Sequence, residues 1–97
     1  MPSATMQEPR LALKTHIMLE RDAEDEDIVL IDSRSGRMTA CNETATLVMT
    51  ELQGGSTLRG LVEAIVRRFK VTHEQAMRDV NALLDVLAAE GFLETRD

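Results

Sequence analysis

The sequence predicts an α+β domain: a three-stranded antiparallel sheet followed by a winged-helix-like three-helix bundle. Two observations carry this. The first half of the chain repeats apolar residues at a period of two between turn signals, and the second half repeats them at helical spacing between capping signals. A third observation orients the sheet. Ile28–Ile31 is an unbroken apolar run, which predicts a central strand covered on both faces.

Residues 1–9 are polar and unpatterned and read as a loose tail, leaving 10–97 as a single domain. From Leu11 to Leu19 the chain alternates. Leu11, Leu13, Ile17 and Leu19 share one face; Ala12, Lys14, His16 and Met18 share the other. That predicts one half-buried strand. The acidic run Asp22–Asp27 reads as a solvated loop. A calcium site is disfavoured, because the run has neither EF-hand spacing nor the glycine its bend needs. Ile28–Ile31 is the second strand. Ser33–Gly36 is a turn in which Gly36 takes positive φ. Arg37–Cys41 returns as a lighter, half-polar third strand. In a 1-2-3 meander this last strand lies at an open edge.

Asn42 is a strong N-cap, with Glu43 in the first turn and Ala45, Val48, Met49 and Leu52 on one face of the first helix. Gly54-Gly55 stops it. Ser56 or Thr57 caps the second helix, which carries the stripe Leu58, Leu61, Val62, Ile65, Val66 and Phe69. Thr72 and Gln75 form a capping box for the third. Its core face is Ala76, Val80, Leu83, Leu84 and Leu87. Gly91 ends it, and Phe92-Leu93 tucks back as an extended tail.

Composition bounds the function. The chain has 97 residues, 43% hydrophobic and 29% charged, which suits one soluble globular domain. A net charge of −6 disfavours nucleic acid and anionic membranes as main partners. No apolar run reaches spanning length, and the N-terminus lacks the features of a signal peptide, so a cytoplasmic location is expected. The lone Cys41 permits no internal disulfide. His16, His73 and Cys41 lack the spacing of a catalytic or metal site, so neither catalysis nor a cofactor is expected. Cys41 reads as a small buried hydrophobe, and Met38, Met49 and Met77 as core filler.

The edge strand carries the functional expectation. Unpaired backbone groups on Arg37, Met38, Thr39, Ala40 and Cys41 offer a template for another extended chain. On the third helix Ala82, Val86 and Ala89 form a narrow face near Asp79, away from the core stripe. The plainer account is scattered exposed small residues. The sharper one is the wall of a shallow groove beside the edge strand, suited to a peptide that adds as a further strand. Arg37 and Asp79 would then meet acidic and basic peptide side chains. An open edge also permits a homodimer.

The segments VLID (29–32), CNETA (41–45), LQGGSTL (52–58) and DVNALLDVLAAEGFLE (79–94) together resemble the PqqD family of precursor-peptide recognition elements. The resemblance spans about Leu11–Glu94. Asn42, Gly54 or Gly55, and Asp79-Val80 match positions of the family pattern; Cys41 stands where the family usually has Leu. The resemblance implies a non-catalytic peptide chaperone. It would bind the leader of a ribosomally made precursor between the third strand and third helix, and present it to a modifying enzyme. In the namesake pathway that partner is a radical S-adenosylmethionine protein making pyrroloquinoline quinone; relatives serve lasso-peptide and other pathways. The segment RRFKVTHEQAMRDV (67–80) is also similar to lasso-pathway members.

The alternative is a winged-helix DNA-binding or regulatory module. Arg59, Arg67, Arg68, Lys70 and Arg78 give residues 57–78 a basic excess. Against this, Asp79, Asp85 and Glu90 on the presumed reading helix would repel phosphate, and the chain has no Tyr or Trp for stacking. Arg67 and Arg68 better suit docking onto an acidic surface of a partner enzyme.

Overall fold

The computed structural model describes residues 9–21 and 27–96. The expected tail therefore lies almost wholly outside the described residues, as does all of the acidic run except Asp27. The elements follow in the order β1 (Arg10–Leu13), β2 (Ile17–Arg21), β3 (Ile28–Asp32), β4 (Met38–Ala40), α1 (Glu43–Gly54), α2 (Leu58–Phe69), α3 (His73–Ala89) and β5 (Leu93–Arg96).

The expected first strand is two strands. Lys14–His16 turn the chain, closed by the Ile17 N–H donating to the Lys14 carbonyl at 3.0 Å. Because Leu13 and Ile17 are four residues apart, the alternation keeps its phase through the turn, and the pattern cannot reveal the break. β1 leaves the main sheet. It pairs antiparallel with β5, the extended tail expected after Gly91, and makes a bridge to Ser56. Ala12, expected on the outer face, is consequently fully buried. His16 lies in the turn instead of in a strand.

β2, β3 and β4 form the expected antiparallel meander with β3 central and β4 at an edge. Gly36 has φ +79° in the hairpin turn, as its position requires. Asp32 organises that turn. Its carboxylate accepts from the Arg34 N–H at 3.0 Å and the Ser35 hydroxyl at 2.9 Å, with His16 Nε2 at 3.8 Å. Desolvation raises the pKa of Asp32, but these hydrogen bonds and the nearby imidazole outweigh it and hold the pKa below its ordinary value. Only one face of β3 is fully buried, with Ile28 and Leu30 in the core. Val29 and Ile31 on the other face are half-buried, so the expected two-sided coverage is not found. Ile31 lies in register between Met18 and Met38, which are 49% and 65% exposed.

The helices supply most of the core. Val48, Leu52, Leu61, Ile65 and Val80 are the largest fully buried side chains, and all lie on the predicted stripes. Of the three methionines expected as filler, only Met49 is buried; Met38 and Met77 are exposed. Thr57, not Ser56, caps α2 by accepting from the Gly60 N–H at 3.0 Å. Thr72 caps α3, but the capping box is half made. Gln75 donates its side-chain N–H to Asp79 Oδ1 at 3.0 Å instead of returning to Thr72.

Asn42 joins the edge strand to the bundle. Its Oδ1 accepts from the Ala45 N–H at 2.8 Å, while its carbonyl accepts from Thr46. Asn42→Ala is expected to remove about 1 kcal/mol of stability. In a domain of this size a melting curve would show this as a fall of roughly 4–8 °C.

Candidate functional site

A groove runs between the free edge of β4 and α3. Its deeper part has a volume of about 280 Å³. Leu30, Cys41, Met49, Leu83, Leu87 and Phe92 contribute apolar lining to that part. A shallower part of about 460 Å³ continues past Asn42 and Ala45 to Thr44, Asp79 and Ala82. Val86 lines both parts and is 57% exposed. β4 and α3 run in opposite directions along the groove, so Arg37 lies by Glu90 at one end and Asn42 lies near Asp79 at the other.

The backbone of β4 decides what its edge can offer. Asp32 N–H donates to the Arg37 carbonyl at 2.9 Å, and Cys41 N–H donates to the Ile28 carbonyl at 3.0 Å. In an antiparallel ladder the bonded pairs alternate. Arg37, Thr39 and Cys41 therefore turn their backbone groups inward to β3, with Thr39 opposite Leu30. Met38 and Ala40 turn theirs outward. The open edge thus consists of the N–H and C=O groups of these two residues, and the Thr39 N–H is not among them. Side chains alternate in the same way. Those of Arg37, Thr39 and Cys41 are on the face of buried Leu30, and that of Met38 is on the opposite face.

The structure brings Arg37, Thr39, Ala40, Cys41, Asp79, Ala82 and Val86 together in the groove lining. Met38 and Ala89 are not part of that lining; Met38 contributes its backbone edge, and Ala89 is exposed elsewhere on α3. Sequence reasoning assigned Leu83 and Leu87 wholly to the core. They also line the groove. Glu90 was missed. It holds Arg37 Nη1 at 3.2 Å and ties the β3–β4 hairpin to the end of α3. Burial, with the negative charge of Asp27 adding to it, pushes the Cys41 thiol above its ordinary pKa. Cys41 is thus an apolar lining residue and not a ready nucleophile. Arg67 and Arg68 lie outside the groove, exposed in the last turn of α2, where cations suit the helix dipole. Arg68 also stacks over the Phe69 ring at 5.3 Å.

Among the described residues no group of three or more His, Cys, Asp or Glu side chains is placed to hold a metal ion. Among them, too, no helix is long and apolar enough to cross a membrane.

Fold and site define an α+β domain whose open sheet edge faces a helix across an apolar groove. Residues 27–93 match the family described as coenzyme PQQ synthesis protein D (PqqD). The chain belongs to the PqqD family. Two solved structures share its architecture. One is a lasso peptide synthetase B1 complexed with the leader peptide, 26% identical, with a TM-score of 0.73 over 87% of this chain and 96% of that one. The other is TbiB1 in complex with the TbiA(beta) leader peptide, 20% identical, with a TM-score of 0.77 over 89% and 98%. No curated protein sequence matches the chain.

Proposed function

We propose that the protein is a non-catalytic chaperone that binds the leader of a ribosomally made precursor peptide and presents it to a modifying enzyme. One observation carries this: the outward backbone groups of Met38 and Ala40 stand beside an apolar groove walled by Val86, Leu83 and Leu87. A leader that adds to β4 gains main-chain hydrogen bonds from the edge and side-chain burial from the groove. The two leader-bound structures of the same architecture support the same occupant. The name of the first favours a lasso-peptide type of maturation system over pyrroloquinoline quinone synthesis and its radical S-adenosylmethionine enzyme. The protein acts inside the cell, where precursor peptides are made, without a cofactor.

Fluorescence anisotropy tests this with a labelled synthetic leader taken from a short reading frame encoded beside the gene. Saturable binding to the leader, with no shift of a DNA duplex at low salt, is expected. The reverse pattern would favour the DNA-binding alternative. An open edge also allows two copies to pair through β4. Leader binding would then compete with such a homodimer.

Arg67 and Arg68 stand apart from the groove and are free to contact the enzyme while the leader is bound. Reversing both to Glu is expected to weaken co-purification with the modifying enzyme at least fivefold, while leader affinity stays within twofold. Unchanged co-purification would remove the docking role.

A further inference from the structure

The charges along the groove are unevenly committed, and this constrains the sequence that fits it. On the groove-facing side of α3 and its C-cap the two charged residues are Asp79 and Glu90, both acidic. Glu90 is held by Arg37 at 3.2 Å. Asp79, at the other end, is exposed and accepts a hydrogen bond from the neutral Gln75 side chain at 3.0 Å. The groove lining around it is Asn42, Thr44, Ala45, Ala82, Leu83 and Val86, with no cation among them. One end of the groove is therefore charge-balanced, and the other presents a carboxylate. The apolar pocket lies between them.

Resting on the leader-binding reading above, we propose that Asp79 selects a lysine or arginine in the leader, set N-terminal to the apolar residue that fills the deeper pocket. Direction follows from the sheet. An added strand pairs best antiparallel to β4, so its N-terminal part lies at the Asp79 end and its C-terminal part leaves beside Arg37 and Glu90. Spacing follows from geometry. Asp79 is about 9 Å along α3 from the level between Leu83 and Leu87, at roughly 1.5 Å per residue. Strand residues on one face recur roughly every 6.7 Å. The basic residue therefore falls two or four positions before the apolar anchor. The Arg37–Glu90 pair balances the charge at the exit, so the uncompensated charge of the groove lies at its entrance.

The test is display of a random twelve-residue peptide library on phage, selected at low ionic strength against the full chain and its variants. For the unaltered protein, Lys and Arg are expected to be enriched two or four positions before a large apolar residue. Asp79→Asn should erase that enrichment while keeping the apolar preference, and Asp79→Lys should replace it with Glu or Asp. Individual peptides with and without the basic residue should differ roughly two- to fivefold in affinity, less at high salt. An unchanged basic preference in Asp79→Asn, or no charge preference in the unaltered protein, would overturn the assignment. Ala40→Pro separates the two levels. If selected peptides still bind that variant, they do not use the β4 edge, and the leader-binding reading itself fails. If they do not bind it, yet Asp79→Asn keeps the basic preference, only the role of Asp79 fails.

Discussion

Ala40→Pro is expected to lower leader affinity at least tenfold while leaving the fold intact. The Ala40 N–H points away from β3, so proline removes no bond within the sheet. Proline is compatible with an edge strand, and Thr39 before it is already extended. For an incoming strand the loss is double. One hydrogen bond of roughly 0.5–1.5 kcal/mol disappears, and the ring obstructs the approach of the next backbone. Together these exceed the roughly 1.4 kcal/mol that corresponds to tenfold in affinity. Thr39→Pro is the informative contrast. Its N–H faces Leu30, so that substitution should damage the hairpin and lower thermal stability. Calorimetric titration and melting curves on the two variants check both statements. Equal affinity of Ala40→Pro and the unaltered protein would show that the leader does not use this edge.

Val86→Glu is the second large effect. The side chain is 57% exposed in the free protein, so the melting temperature should move by less than about 4 °C. Once a peptide covers the groove, the carboxylate is stripped of water against Leu83 and Leu87, with Asp79 and Glu90 on the same helix face. An unpaired buried charge is costly enough that affinity should fall well beyond tenfold. A melting temperature lowered by 10 °C or more would instead place Val86 in the core.

Much of this architecture was legible from local chemistry. Asn42, the Ser56-Thr57 pair and Thr72 announced the helix starts, and the stripes through Val48, Leu61 and Val80 named the residues that are most buried. The central and edge positions of β3 and β4 followed from their contrast in apolarity. The break at Lys14–His16 was hidden because the turn preserved the alternation. The exposure of Met38 and the half-burial of Ile31 were hidden for a different reason: composition shows that a strand is apolar, not whether a second layer covers it. In the site, Ala82, Val86 and Asp79 could be placed on one helix face by periodicity alone. Which N–H groups of β4 point outward could not, because that depends on pairing with Leu30. The Arg37–Glu90 pair spans 53 positions and leaves no local signal.

The most direct test is an NMR titration of isotopically labelled protein with the synthetic leader. Large amide shifts confined to residues 37–45 and 79–90 are predicted, with the Met38 and Ala40 amides gaining protection from hydrogen exchange and Thr39 already protected in the free protein. Shifts centred on residues 59–70 with an undisturbed β4, or no shifts from a well-folded protein, would contradict strand addition at this edge.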